Sequence, residues 1–246
     1  MQTPVERAVL QVSDRLQLRY SLIRSSTVPA GPAPLLICLH PGWSGETPPA
    51  YYGGEFLSFV FLPAFGTTGA ILACPDCPSG AWNNETSRQA VLALIDHLVT
   101  TAAADPRRIS LAGYSAGGWG VWYLLRHEPR RFASAVVLAA PPVIDPVEAL
   151  MDNLPKTREA LSGRLDEWVS GIPDIPITII HSQDDELLRW EESQAASDAL
   201  VQAGRRVELR LIQGVGHFEG PGYVPALSAS SDWLVQTWRL SDQEVR

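Results

Sequence analysis

The 246-residue sequence has only three cysteines, Cys38, Cys74 and Cys77. So low and odd a number excludes the disulfide framework that staples small secreted domains. Cys74-Pro-Asp-Cys77 has CxxC spacing. It has no second ligand pair to complete a zinc site, and it does not open a helix after a strand as a redox pair does. It reads as two thiols at a loop or strand end, and no metal is expected. Charge is also scarce. Asp, Glu, Lys and Arg make up 19% of the chain against 46% hydrophobic residues. That excludes a disordered chain and supplies one full core at this length, so a single domain over 1–246 is expected. The net charge of −8 argues against nucleic acid and against anionic membranes as partners. No apolar run reaches the roughly 18 residues of a membrane helix. The opening MQTPVERAVLQV lacks a basic stretch followed by an apolar one. The expectation is a cytoplasmic protein.

Short unbroken apolar runs recur along the chain, at residues 35–40, 70–74, 109–112, 135–139, 177–181 and 207–212, after a first pair at 8–12 and 16–23. Such runs are what strands buried on both faces leave in a sequence. The first pair reads as a hairpin. Between the runs lie helical stretches at 86–104, 116–127, 190–203 and 227–240; the first carries Val91, Leu92, Ile95, Leu98 and Val99 as a stripe. Strands alternating with helices imply right-handed crossovers. The predicted fold is α/β, a doubly wound and mostly parallel sheet of about eight strands flanked by helices. The segment 141–176 is longer than a plain crossover and reads as at most a small cap.

Gly113-Tyr114-Ser115-Ala116-Gly117 follows the apolar run 109–112 and precedes an apolar helix. G-x-S-x-G in that setting is a sharp strand-to-helix turn whose flanking glycines avoid clashes and whose serine hydroxyl stands clear of the sheet. The Ala116 N–H, at a helix start, would point at a developing oxyanion. A serine hydroxyl needs a base. Of five histidines, His40, His97 and His127 sit at a strand end, in a helical stripe and at a helix end. His181 precedes three acids and reads as a residue that orders that loop. His217, in Gly214-Val-Gly-His217-Phe beyond the last strand, is the candidate base. The imidazole needs an acid, and Asp184-Asp185-Glu186 follows the run 177–180. Asp185 is preferred, with Asp184 open beside it and Asp145 more remote. The second oxyanion donor is expected from His40-Pro41-Gly42-Trp43, as the Trp43 N–H with Gly42 as second choice, and His40 anchors that loop.

These motifs resemble the α/β-hydrolase superfamily over nearly the whole chain. The stretch from Asp105 through Ser115 to Trp122 is similar to the elbow region of compact esterases and predicted peptidases, the dienelactone hydrolase-like, feruloyl esterase-like and carboxylesterase-like groups. His40-Pro-Gly-Trp43 looks like their His-Gly oxyanion loop with a proline inserted. His181-Ser-Gln-Asp-Asp185 looks like their His-Gly-x-x-Asp acid loop with serine for glycine. The chain order Ser115, Asp185, His217 is the one expected on that sheet. The resemblance implies a serine carboxylesterase that works through an acyl-enzyme on a small-molecule ester, without a cofactor. A peptidase or amidase on the same triad is the alternative. Trp43, Trp82 and Tyr114 are expected to line the substrate pocket. No cluster of Arg or Lys stands beside the motifs, Arg189 being the nearest, so a strongly anionic substrate is not suggested.

Overall fold

A computed structural model of the chain describes residues 4–24, 31–43, 47–142, 165 and 167–241. In chain order the strands are β1 (Glu6–Ser13), β2 (Leu16–Arg24), β3 (Ala33–Leu39), β4 (Ile71–Pro75), β5 (Ala104–Tyr114), β6 (Ser134–Leu138), β7 (Ile177–Ser182) and β8 (Val207–Ile212). They form one sheet in the order β1-β2-β4-β3-β5-β6-β7-β8. β1, β2 and β4 pair antiparallel, and every pairing from β4 to β8 is parallel. The expected mostly parallel, doubly wound sheet is what the chain forms.

The strand sequences follow from burial on two sides. All seven residues of β3 are buried. Leu35, Ile37 and Leu39 belong to one core, Leu36 and Cys38 to the other, because side chains alternate across a strand. The first core is closed by α3 (Glu85–Thr101), α4 (Ala116–His127) and α5 (Trp190–Gln202), through residues such as Leu94, Leu98, Val121, Leu125 and Leu200. The second is closed by α1 (Tyr52–Phe56), a π turn at Leu57–Phe61, α2 (Leu62–Phe65), α6 (Val224–Ser228) and α7 (Ser231–Ser241). Phe61, Phe65, Leu227, Leu234 and Trp238 supply its bulk.

Three segments depart from the sequence reading. The helical run over 52–65 was not among the expected elements. The chain accommodates Pro63 at the second position of α2 by widening the preceding turn into a π turn. The expected helix at 227–240 is two, α6 and α7. β5 starts at Ala104, well before the apolar run, because it absorbs Asp105-Pro106 at a register shift opposite Ala33 and Leu35. There the Asp105 carboxylate accepts from the Arg107 N–H (2.9 Å) and Arg108 Nε (2.9 Å). Of the expected cap, residues 143–164 and 166 lie outside the described residues. Residues 167–170 are helical, and Trp168 packs edge-on against Trp122 of α4 with ring centroids 5.1 Å apart. Among the described residues no helix is long and apolar enough to cross a membrane.

Candidate active site

Ser115 occupies the single-residue bend between β5 and α4, with φ 53° and ψ −119°. A non-glycine residue there is strained, and the surroundings hold it. The Ser115 N–H donates to the Leu138 carbonyl of β6 (2.9 Å), and the Gly118 N–H returns to the Ser115 carbonyl (2.8 Å). The bend requires glycine on both sides. A Cβ on Gly113 would lie 2.3 Å from the Gly117 carbonyl oxygen, and one on Gly117 would lie 2.0 Å from the Leu39 carbonyl oxygen. Two indoles fasten α4 to the end of β6: Trp122 Nε1–H donates to the Ala140 carbonyl (2.9 Å) and Trp119 Nε1–H to that of Pro141 (3.1 Å).

The loop after β8 returns His217 to this bend. Its Nε2 lies 2.9 Å from Ser115 Oγ, and its Nδ1 lies 2.7 Å from Asp185 Oδ2. The ionised carboxylate can only accept, so Nδ1 carries the proton and the bare Nε2 accepts from the serine hydroxyl. Both His217 and the Asp185 side chain are buried.

The three consecutive acids after β7 each take a different donor from the histidine loop. Asp184 Oδ2 accepts the Gly214 N–H at 2.7 Å, Asp185 takes the imidazole, and Glu186 Oε2 accepts the His217 N–H at 2.9 Å. Glu219 adds a bond from the Gly216 N–H at 2.7 Å, and the Tyr114 hydroxyl donates to the His217 carbonyl. Between Asp184 and Asp185, which the sequence left open, the geometry sets Asp185 on the imidazole and Asp184 on the backbone.

Burial works against charge on Asp185. Hydrogen bonds from His181, His217 and the Leu188 N–H outweigh it and hold the carboxyl well below the usual carboxylate range. A pKa lower in the folded than in the unfolded chain stabilises the fold above the unfolded value of about 3.9, and that contribution is lost as pH falls through the folded value. Asp185→Asn is therefore expected to melt below wild type at pH 7, with the gap narrowing steadily below about pH 4. Melting curves across pH would check this; a gap that stays constant would contradict it. Tyr114 is pushed far above the usual tyrosine value, first by burial and then by the nearby Asp185 and Glu186 charges, so its hydroxyl stays a donor.

The loop after β3 lies beside the bend: a Cβ on Gly42 would lie 3.7 Å from Ala116 Cβ. His40 anchors it. Its Nδ1–H donates to the Pro41 carbonyl (2.6 Å), and its Nε2 accepts the Cys77 N–H (3.0 Å). Burial pushes the His40 pKa down, which keeps Nε2 free to accept. Gly42 thus lies beside Ala116 at the bend, with Trp43 next to it in the chain. Trp43 is 45% exposed, its ring against Tyr52.

Two expected pocket residues are placed elsewhere. Trp82 is 3% exposed, and its Nε1–H donates to the His40 carbonyl at 2.9 Å, so it supports the loop from beneath. Tyr114 is 2% exposed and stands behind His217. A loop indole beside a glycine and a side chain next to the serine both read as walls in one dimension. Their burial is set by partners about forty and a hundred residues away.

Sequence reasoning missed Asp76, which lies inside the CxxC spacing. Its carboxylate accepts the N–H of Tyr51 (2.7 Å) and of Gly53 (3.0 Å), and it pairs with Arg19 (3.1 Å), so it fixes the start of the run 52–65. Cys74 is buried, and burial pushes its thiol up. An aspartate at a strand's carboxyl end was the available signal.

The sequence profile of the prolyl oligopeptidase family (Peptidase_S9) matches residues 79–239. Among solved structures, a thermostable esterase is similar with TM-score 0.71 and 19% identity, over 94% of this chain and 62% of the esterase. Est1E from Butyrivibrio proteoclasticus is similar with TM-score 0.69 and 18% identity, over 94% of this chain and 99% of Est1E. Pyrococcus horikoshii acylaminoacyl peptidase is similar with TM-score 0.68 and 14% identity, over 95% of this chain and 41% of the peptidase. The chain therefore spans less than two thirds of the length of that peptidase and of the thermostable esterase. Among curated proteins none matches. At these identities the structural likeness speaks for the fold.

Proposed function

The chain belongs to the prolyl oligopeptidase family and is a serine hydrolase, and from that premise we propose that it cleaves carboxylic esters of small molecules on Ser115, His217 and Asp185. The observation that carries this reading is the continuous line of hydrogen bonds from Ser115 Oγ to His217 Nε2 (2.9 Å) and from His217 Nδ1 to Asp185 Oδ2 (2.7 Å). Ser115 Oγ attacks the ester carbonyl carbon while His217 Nε2 takes the hydroxyl proton. The carbonyl oxygen becomes an oxyanion facing the Ala116 N–H and the Gly42–Trp43 backbone. One such donor is worth about 10²–10³ in rate. The imidazolium, held by Asp185, then gives its proton to the departing alkoxide oxygen. Water, deprotonated by the same Nε2, attacks the acyl-serine carbonyl, and collapse of that second intermediate frees the acid and restores Ser115.

A peptidase reading also has support, from the family itself and from the peptidase among the similar structures. Amide hydrolysis demands a protonated leaving nitrogen, whereas an activated ester does not. A triad able to cleave amides also cleaves esters, and the converse fails, so ester cleavage asks less of this geometry. The p-nitrophenyl ester and the p-nitroanilide of one short acyl group separate the two. The ester is expected to turn over and the anilide to do so at least about 10²-fold more slowly. Comparable rates would establish the peptidase in its place.

A further inference from the structure

His181, at the end of β7, is completely buried and takes no part in the steps above. Its Nδ1 lies 2.7 Å from Ser193 Oγ on α5. Its Nε2 faces two acceptors, Asp185 Oδ2 at 3.1 Å and the Leu188 carbonyl at 3.0 Å. Neither can donate, so Nε2 carries the proton and Nδ1 accepts from the Ser193 hydroxyl. Asp185 Oδ2 is the same oxygen that receives His217 Nδ1–H, at 2.7 Å. The other oxygen, Oδ1, is occupied by the N–H groups of Leu187 (2.9 Å) and Leu188 (2.7 Å). The carboxylate thus meets four donors, and two of them are imidazoles that share one oxygen.

We propose that His181 is a positioning residue that acts on His217 through Asp185. Its Nε2–H fixes Oδ2 in line with His217 Nδ1 and takes up part of the charge that this oxygen would otherwise present to the imidazolium. The inference rests on the reading of Ser115, Asp185 and His217 as the reacting set, and it is independent of whether the substrate is an ester. Each donor to a carboxylate lowers its basicity. A less basic partner stabilises the protonated imidazole less, so His217 gives its proton more readily to the departing oxygen. Ser193 contributes by occupying Nδ1 of His181. The two acceptors at Nε2 fix the tautomer, and the Ser193 hydroxyl, free to donate, supplies the partner that the bare Nδ1 then needs.

The groups that face His217 are Ser115 Oγ and the Tyr114 hydroxyl from β5 and the bend, and Asp185 and Glu186 from the acid loop. Glu219 bonds the neighbouring Gly216 N–H, and Tyr223 packs on the Tyr114 ring. Of these groups His181 itself bonds only Asp185, so a change in His217 is read through the shared oxygen.

The test is an NMR titration of the imidazole nitrogens in the full chain, wild type beside His181→Phe and His181→Gln. Wild type is expected to show His181 as the Nε2–H tautomer. In His181→Phe the His217 midpoint is expected to rise by about one pH unit. In His181→Gln, whose amide N–H can take the place of Nε2–H, it is expected to return to within a few tenths of wild type. An unchanged midpoint in His181→Phe overturns the proposal. So does a wild-type His181 protonated at Nδ1 alone, a result that needs no variant to fold. Absence of ester turnover by wild type would strike the ester reading and leave these titrations standing.

Discussion

Ser115→Ala is expected to lower kcat/KM for a short p-nitrophenyl ester by about 10⁴–10⁶-fold while the protein stays folded. Alanine occupies the same strained bend with one atom fewer. The Ser115 N–H bond to Leu138 and the glycines that pack the turn do not involve the hydroxyl. What disappears is the atom that, on the proposed function, forms the acyl-enzyme. His217→Ala is expected to cost about as much, and the double variant little more than either single one, because the two groups act in one step and their losses do not add. Steady-state kinetics with a melting curve for each variant decides the matter. A Ser115→Ala protein that is folded and retains even a tenth of wild-type activity would move the chemistry away from this serine.

The second large effect separates adjacent residues. Asp185→Asn is expected to reduce kcat by about 10⁴-fold, whereas Asp184→Asn stays within a few-fold of wild type. All four contacts of the Asp185 carboxylate are donors: His217, His181 and the Leu187 and Leu188 N–H groups. An asparagine side chain must place its NH₂ against one pair of them. It either abandons the backbone turn or forces His217 to present Nδ1 as an acceptor, which puts the proton on Nε2, where the serine needs a base. Asp184 accepts a single bond, from the Gly214 N–H, and the asparagine carbonyl can accept it equally well. Equal losses in the two variants would show that the run as a whole orders the loop and that no single carboxylate serves the imidazole.

The sheet was legible because burial on both faces imposes a pattern that needs no partner to be seen: the seven consecutive buried residues in β3 are all apolar. The bend at Ser115 was legible because backbone carbonyls crowd Gly113 and Gly117 so closely that the chain must write glycine there. The run 52–65 was not, since Gly53 and Gly54 enter it for close packing, against Cys74, Pro75 and Ser21, and Pro63 is absorbed by a widened turn. The tasks of Glu186, Glu219 and Asp76 were hidden for a different reason. Each accepts backbone N–H groups, and a backbone donor has no letter in the sequence. Trp82 and Tyr114 were located correctly along the chain, but the depth to which they sink depends on His40 and His217, far off in the chain.

The run Asp184–Glu186 gives this chain a constraint of length more than of composition. Three neighbouring side chains take three donors of a distant strand-end loop, the Gly214 N–H, His217 Nδ1–H and the His217 N–H, so the two loops are tied to each other at three points like teeth in a ratchet. A swap of chemically similar letters leaves the phase intact, while one inserted or deleted letter throws every tooth out of step at once. Sequence variation therefore has room at exposed positions such as Trp43 and Phe218, and very little in the spacing of these two loops.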